Sequence, residues 1–241
     1  MTDRDANERG FSLLECLMAM ALSSFVILSS LQFFILAQKA FFRLKQREEA
    51  GQSALAALDK IKIDLLHAGR GLTAETDLGL VEAAQAPDEG LRTTSLERPL
   101  ALAGEAAAGT TRLLLDSTAD IAAGQDICLS DGAAGEVRTV TAVERGAVVL
   151  EAPLERAYSP QTASVSLLER VAYILDAPAR ILRRQVNAAS AQPLLENAAV
   201  VTWRYDPEAG LAGVRLVLDL EGDPAYETTV FLKNPALAGR R

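Results

Sequence analysis

Apolar residues are concentrated in one N-terminal stretch, where the chain carries no charged side chain from Cys16 to Gln38. A helix needs about 20 consecutive apolar residues to cross a bilayer, so this stretch is predicted to be a transmembrane helix. It is too long for the apolar region of a cleaved secretory signal, and no small-residue cleavage site follows it. We therefore expect the helix to remain in the mature protein.

A stripe of apolar residues at helical spacing continues past this stretch, formed by Leu55, Leu58, Ile61 and Leu65. The charged residues among them are predicted to lie mostly on the other faces: Asp59, Lys60, Lys62 and Asp64. The sequence Ala-Gly-Arg-Gly at 68–71 is typical of a helix end, because glycine readily adopts left-handed backbone geometry. The pattern predicts one helix over 11–68, with a transmembrane part at 16–38.

From residue 72 onward the pattern is that of strands. Residues 72–105 are predicted to be mostly loop with room for one short strand, and 103–109 a linker. Alternating runs divided by turns predict strands at 112–116, 126–130, 136–143 and 147–151, with a hairpin turn at Glu144-Arg145-Gly146. Further strands are predicted at 164–175, 181–186, 198–205, 213–220 and 226–232. Connections this short favour antiparallel pairing, which predicts an α+β fold with a β-rich head over 72–241 and a small β-rich insert at 111–160.

The charge and the reactive residues exclude several functions. A net charge of −8 argues against nucleic acid as the main partner. The one dense basic cluster, which follows the apolar stretch, is interpreted as a membrane flank: Lys39, Arg43, Lys45 and Arg47. With one histidine and two distant cysteines, we expect no enzyme activity, no cofactor, no zinc site and no disulfide. The acids Asp126, Asp131 and Glu136 do not have the spacing of a calcium-binding EF-hand loop.

One acid, Glu15, stands at the edge of the apolar stretch, where an ionised carboxylate costs a few kcal/mol unless it is paired. The residues up to it, Arg-Gly-Phe-Ser-Leu-Leu-Glu at 9–15, resemble the type IV prepilin cleavage motif. The resemblance implies that a prepilin peptidase cuts between Gly10 and Phe11, removes the leader 1–10 and methylates the amine of Phe11. It also implies that Glu15 pairs with the N-terminal amine of a neighbouring subunit in a filament.

Two segments of the head carry a second resemblance. The helix end LDKIKIDLLHAGRG is similar to that of PilW-type minor pilins, and RVAYILDAPARILRRQVN with PLLENAAVVTWRYD is similar both to that type and to the J-type pseudopilin of type II secretion. The matching residues of the latter pair are Tyr173, Leu175, Leu182, Arg183, Arg184, Pro193 to Asn197, Trp203 and Tyr205. Trp203 and Tyr205 are interpreted as core aromatics on the N-terminal helix, and Arg183 and Arg184 as solvated. The strand-rich insert favours the PilW type.

The resemblances imply a minor type IV pilin that helps to prime pilus assembly. The alternatives are a minor pseudopilin of a type II secretion system and an uncleaved, membrane-anchored periplasmic binding module. The implied partners are prepilin peptidase, other minor and major pilins, the inner-membrane assembly platform and the lipid bilayer. The implied location is the bacterial inner membrane, crossed once with the N-terminus cytoplasmic and the head periplasmic, and then a pilus or pseudopilus filament.

One observation opposes this topology. More basic residues follow the apolar stretch than precede it, and the positive-inside rule would place the C-terminal side in the cytoplasm. The cleavage motif is the more specific signal, and Glu48 and Glu49 offset the basic cluster. We therefore expect the head to lie outside the cytoplasm.

Overall fold

The computed structural model describes residues 12–87, 90–220, 222 and 224–234. Helix α1 (Leu13–His67) begins the described chain. The chain divides into two compact units, one ending at Glu49 and one beginning at Ala50. The first described unit is the N-terminal part of α1. The second, the head, holds the rest of α1 and all described residues that follow.

The described head is built from strands and one short helix, α2 (Thr73–Asp77). In chain order its strands are β1 (Ala84–Gln85), β2 (Gly90–Leu100), β3 (Arg112–Leu114), β4 (Asp126–Ser130), β5 (Gly135–Glu144), β6 (Ala147–Leu150), β7 (Ser164–Asp176), β8 (Ile181–Val186), β9 (Gln192–Glu196), β10 (Ala198–Asp206), β11 (Leu211–Leu218) and β12 (Ala225–Phe231).

The strands form two antiparallel sheets. The large sheet has the order β1-β2-β7-β4-β5-β6-β3, with β8 also paired to β7 and β9 to β8, and the small sheet has the order β10-β11-β12. β7 is central because β2 runs along one side while β4 and β8 share the other. The α+β fold with an antiparallel head, predicted from the sequence, is confirmed.

One face of the C-terminal part of α1 packs on both sheets. Leu58, Ile61 and Leu65 are buried in a core that β7, β8, β11 and β12 complete. Leu55, which the periodicity placed in the same stripe, is instead 55% exposed. The buried stripe is centred on Ala54, Ala57, Ile61 and Leu65, and at 100° per residue Leu55 lies beside this stripe and faces solvent.

The helix ends as the sequence predicted. α1 stops at His67, and the glycines that follow, Gly69 and Gly71, have φ angles of 70° and 74°. Such left-handed geometry is favourable only for glycine and a few polar residues. The amide N–H of Gly69 then donates to the carbonyl oxygen of Thr94 at 2.7 Å, which ties the helix end to β2.

The prediction that 72–105 is mostly loop is wrong. β2 has eleven residues and pairs with β7 along nearly its whole length. The sequence signal is weak because Thr93, Thr94 and Ser95 are buried although they are polar, so apolar alternation is lost. The backbone N–H and C=O groups of β2 are satisfied by its hydrogen bonds to β7. The predicted linker 103–109 is also held in place, because Ala106 forms an isolated antiparallel β-bridge with Tyr158.

Residues 111–160 supply β3 to β6. The predicted hairpin turn is confirmed, since Glu144 pairs with Ala147 across Arg145 and Gly146, and Gly146 has a φ of 75°. These strands enclose a core of their own, with Leu113, Ile127, Val140, Val148 and Leu167 among its fully buried members. Through β4, which pairs with β7, they belong to the large sheet.

Candidate functional site

The described part of α1 begins with a reciprocal pair of hydrogen bonds. The backbone N–H of Ser12 donates to Oε2 of Glu15 at 3.0 Å, and the N–H of Leu14 donates to Oγ of Ser12 at 3.2 Å. This is a capping box, in which two side chains three residues apart satisfy two of the free backbone donors at the start of the helix. The predicted cleavage residues, Gly10 and Phe11, lie outside the described residues.

Glu15 therefore also caps the helix, a role that was not predicted from the sequence. The capping box adds Ser12 to the candidate site. The signal was present as a serine three residues before a glutamate, directly ahead of an apolar run. An ionised carboxylate has two oxygens with about four acceptor positions. The bond from Ser12 therefore leaves most of the acceptor capacity of Glu15 free for a partner outside the chain.

The surface of α1 after Glu15 is apolar and exposed. Leu13 is 82% exposed and Phe25 70% exposed. The helix is long and apolar enough to cross a membrane by length and composition, and none of its most apolar window is buried within the protein. Such a surface needs lipid or another helix as a neighbour, because water would not tolerate it.

The polar side chains inside this apolar segment have partners in the helix itself. The hydroxyls of Ser23 and Ser24 each donate to the carbonyl oxygen four residues earlier, at 2.7 Å. In lipid every polar group must find a hydrogen-bond partner other than water, and these two bonds supply one for each serine hydroxyl. The two serines therefore do not prevent the segment from entering a bilayer.

Part of the basic cluster after the apolar segment is balanced within the helix. Lys45 Nζ lies 3.7 Å from Oε1 of Glu49, one turn further on. Both side chains are more than half exposed, so the pair contributes little to stability. It does reduce the positive charge that argued for a cytoplasmic position of the following residues.

In the head, a buried acid of α1 is clamped by two strands. Asp64 is 7% exposed, and its Oδ2 accepts a hydrogen bond from Nε of Arg184 at 2.7 Å. The hydroxyl of Tyr173 donates to the same oxygen, and Nζ of Lys60 lies 3.3 Å from Oδ1. The clamp thus joins the helix to β7 and β8.

The clamp corrects two predictions. Asp64 was expected on a solvated face and Arg184 in solvent, yet the pair is largely buried. A buried carboxylate is costly alone and tolerable when its charge and lone pairs are matched. Arg183, also expected in solvent, is half-buried and pairs with Asp176 at 3.1 Å.

The clamp also shifts the titration of its members. Burial acts to raise the pKa of Asp64, but the hydrogen bonds from Arg184 and Tyr173 outweigh it, so the pKa lies below its ordinary value. Burial and the hydrogen bond to Asp64 raise the pKa of the Tyr173 phenol. Asp64 is therefore ionised and Tyr173 neutral at neutral pH.

The aromatic residues of the strand that follows lie at the helix as predicted. Trp203 and Tyr205 are half-buried and pack against the core around α1. The ring centre of Trp203 is 5.9 Å from that of Tyr173. This distance suits a tilted aromatic pair, which adds about 1 kcal/mol to simple burial.

The three acids considered for calcium are each occupied by groups of the protein. Asp126 pairs with Arg170 at 2.5 Å, Asp131 accepts the N–H of Ala134 at 2.8 Å, and Glu136 accepts the N–H of Glu155 at 3.0 Å. In the part of the chain that the structure describes, no three His, Cys, Asp or Glu side chains are grouped to hold a metal. Cys16 and Cys128 are free thiols.

Comparison with known proteins identifies the N-terminal segment. The model of the prokaryotic N-terminal methylation motif matches residues 5–31. No curated protein matches the chain. Two solved structures match weakly: the tailspike proteins of Pseudomonas phages phi297 and LKA1, at 20% and 23% identity and TM-scores of 0.28 and 0.26.

The tailspike matches cover 30% of this chain and only 14% and 15% of the tailspikes. At this level of similarity they carry no argument about fold or function. The methylation motif is specific and coincides with the start of the membrane-length helix. The chain therefore carries the N-terminal methylation motif of type IV prepilin-like proteins on a pilin-like α+β fold, which supports a pilin or pseudopilin-like protein.

Proposed function

We propose that this protein is a minor type IV pilin, a structural subunit that helps to prime assembly of a pilus filament. The observation that carries the proposal is the methylation motif at 5–31, which runs directly into an exposed apolar helix of membrane length. The protein acts by packing and assembly rather than by catalysis. It first anchors in the inner membrane and then joins other pilins through the assembly platform.

Processing comes first in this mechanism. Prepilin peptidase removes the leader 1–10 by cleaving between Gly10 and Phe11, and the new amine of Phe11 is methylated. The cleavage leaves a cationic amine one residue before the capping box. In an apolar helix bundle this amine is costly unless a carboxylate meets it.

Glu15 supplies that carboxylate to a neighbouring subunit. The capping bond from Ser12 holds the side chain at the first turn of α1, which orders the carboxylate before a partner arrives. Pairing with the amine of a neighbour fixes the axial offset between two helices. The pair acts mainly as a register device, since a buried ion pair gains little net free energy.

The assignment to a minor subunit rests on the head. Asp64, which belongs to the helix end similar to PilW-type minor pilins, meets Tyr173 and Arg184 in the clamp, and these two belong to the segment similar to both PilW-type pilins and J-type pseudopilins. That meeting supports a shared helix-to-sheet arrangement. A pseudopilin of type II secretion is the alternative within the same class, and the neighbouring genes distinguish the two.

The N-terminus tests the processing directly. Mass analysis of the membrane-extracted protein should find a chain that begins at Phe11 with a methylated amine. A Gly10→Val variant, which blocks cleavage at the scissile bond, is the matched control and should retain residues 1–10. A native chain that begins at unmodified Met1 would exclude the pilin proposal and favour the uncleaved membrane-anchored binding module.

Three variants separate the two tasks of Glu15. Glu15→Gln keeps an acceptor for the capping box and removes the charge, Glu15→Ala removes both, and Ser12→Ala weakens the cap and keeps the charge. We expect all three to be cleaved. We expect Glu15→Gln and Glu15→Ala to enter filaments about tenfold less than the native chain, because the amine of the neighbour is left unpaired.

Ser12→Ala is expected to enter filaments almost normally. Incorporation is measured by immunoblotting of sheared filaments against the cell-membrane fraction. If Glu15→Gln incorporates like the native chain while Ser12→Ala does not, Glu15 acts as a helix cap and the charge-pairing account fails.

A further inference from the structure

The basic residues that follow the apolar segment of α1 are not spread evenly around the helix. Lys39, Arg43 and Arg47 are spaced by four residues along α1, so they lie within a sector of about 80° and form a stripe about 12 Å long. We call these three residues the basic stripe. All three are exposed. Most of the positive charge of this segment therefore lies on one face of the helix.

The fourth basic residue of the cluster lies on a different face. Lys45 stands about 160° from both Arg43 and Arg47 around the helix axis, and its Nζ lies 3.7 Å from Oε1 of Glu49. Lys39 and Arg47 form no ion pair with any residue that the structure describes. The acids of this segment therefore do not neutralise the whole basic stripe.

Large apolar side chains are interleaved with the basic stripe. Phe41 is 64% exposed, Phe42 54% and Leu44 68%, and the two phenylalanine rings form an edge-to-face pair with centres 6.1 Å apart. Water is an unfavourable neighbour for such a surface. This part of α1 therefore belongs at the boundary of a bilayer, where apolar side chains enter hydrocarbon while the heads of long basic side chains remain among the lipid headgroups.

The positions along the helix fit this boundary. The uncharged stretch ends at Gln38, and a bilayer has roughly 5–8 Å of headgroup on each side of its hydrocarbon core. Lys39 and Arg43 are one helical turn apart, about 6 Å, and so both fit within the headgroup layer. Arg47 lies about 6 Å further on, within the roughly 8 Å over which the charge of a membrane surface acts in physiological salt.

A lipid phosphate matches the hydrogen-bond donors of the basic stripe. An arginine guanidinium presents five N–H donors in a planar fork that binds phosphate oxygens in pairs, and a lysine ammonium presents three donors. With five donors, Arg43 can bind a group of the protein and a phosphate at the same time. The apolar stems of these side chains allow their charged heads to reach the phosphate layer.

We propose that the basic stripe binds the headgroup of an anionic phospholipid, with phosphatidylglycerol as the probe. The bound phosphate supplies the negative charge that Lys39 and Arg47 do not find among the described residues. Such binding also explains the excess of basic residues after the apolar segment without a cytoplasmic head. The inference rests on insertion of α1 into a bilayer and not on the entry of the protein into a filament.

The lipid selectivity of the full chain in vesicles tests this binding. The protein is reconstituted in phosphatidylcholine vesicles with a trace of spin-labelled phosphatidylglycerol or spin-labelled phosphatidylcholine, and electron spin resonance measures the fraction of each that the protein immobilises. We expect a preference of about fivefold for phosphatidylglycerol at low salt. The preference should approach unity in about 1 M NaCl, where the Debye length is about 3 Å.

Single substitutions distinguish the basic stripe from the net charge of the segment. Lys39→Gln and Arg47→Gln each remove one positive charge and leave Arg43 in place, and each should reduce the preference about twofold. The triple variant that also carries Arg43→Gln should abolish it. Lys45→Gln, the charge-matched control on the other face, should leave the preference within about a fifth of the native value.

Two results would overturn the proposal. One is an equal immobilised fraction of the two lipids at the native chain. That result, together with loss of copurifying pilins from the triple variant, would assign the basic stripe to a protein partner. The other is a preference that Lys45→Gln lowers as much as Arg47→Gln, which would assign it to net charge alone. Neither outcome bears on the proposed assembly role, because vesicles contain no filament and the N-terminal mass analysis tests processing separately.

Discussion

At the scale of single residues, Asp64 shows how a charge can be part of a helix-to-sheet interface. It lies in the buried stripe of α1, where an unpaired carboxylate would be unfavourable, and three side chains from the helix and two strands compensate it. Removing one partner of such a group leaves the others unmatched. The stability of the head should therefore be sensitive to this position.

We expect Asp64→Ala to reduce the free energy of unfolding of the head by about 3 kcal/mol, because Arg184 is left buried without its carboxylate. Asp59→Ala, on the exposed face of the same helix, should change it by less than about 0.5 kcal/mol. Urea unfolding of the full chain in micelles, followed by Trp203 fluorescence, measures both. Similar losses for the two variants would contradict a clamp.

The clamp also predicts a pH dependence. The pKa of Asp64 is lower in the folded head than its ordinary value of 3.8, so the stability it contributes is complete above that value. It is lost as the pH falls through the folded pKa. The stability difference between the native chain and Asp64→Asn should be constant from about pH 5 to 8 and shrink below about pH 4. A difference that grows in acid would mean that the folded pKa is raised.

The sequence could not have predicted this contact. Asp64 and Arg184 stand far apart in the chain, and each has the pattern of an ordinary surface charge. By contrast, Ser12 and Glu15 are three residues apart, and the capping signal was present without any tertiary information. Contacts between residues close in the chain can be predicted from the sequence, whereas contacts between residues that only the fold brings together cannot.

At the scale of elements, the same distinction decides which strands were predicted. β10 alternates between inward and outward side chains, and the turn at Arg145-Gly146 is local, so both were predicted. β2 was missed because its buried residues include threonines and a serine, which do not produce apolar alternation. Its strand structure comes from pairing with β7.

Gly51 is the residue of α1 that faces the side chain of Tyr226 in β12. A Cβ at this position would lie 2.8 Å from the hydroxyl oxygen of Tyr226. Glycine in a helix costs about 1 kcal/mol relative to alanine. An alanine at position 51 would therefore meet only the hydroxyl group of Tyr226, which lies at the end of a side chain that can move.

We expect Gly51→Ala alone to be nearly neutral, because the gain in helix propensity is offset by displacement of Tyr226. In a Tyr226→Phe background, Gly51→Ala should stabilise the head by about 1 kcal/mol. Denaturant midpoints of the native chain, both single variants and the double variant provide the comparison. Equal effects of Gly51→Ala in both backgrounds would show that the hydroxyl is not the obstacle.

At the scale of the whole molecule, the two cysteines differ in their exposure and therefore in the expected reactivity of their thiols. Cys16 lies on the exposed apolar part of α1, and Cys128 is buried in β4. Burial, with the nearby charge of Glu75, raises the pKa of the Cys128 thiol to about 12. Because thiolates are the reactive form, Cys128 should be inert while the head is folded.

In a Cys16→Ser background, we expect iodoacetamide at pH 8 to label Cys128 about a thousandfold more slowly in the folded protein than in denaturant. This factor follows from the thiolate fractions at a pKa of about 12 and at the ordinary value of 9.0. Mass spectrometry after timed quenching measures both rates. Comparable rates would mean that β4 opens readily.

The central position of β7 has a consequence for how the head folds. Gly90 of β2 pairs with Ile174 of β7, and all of β3 to β6 lies between them in the chain. Closing so long a loop in an unfolded chain is slow, because the entropy is lost before the distant contact is gained. The nearer pairings, β5 with β6 and β4 with β7, shorten the effective loop once they form. We therefore expect the insert to assemble before β2 pairs with β7, and to shorten the loop that this pairing must close.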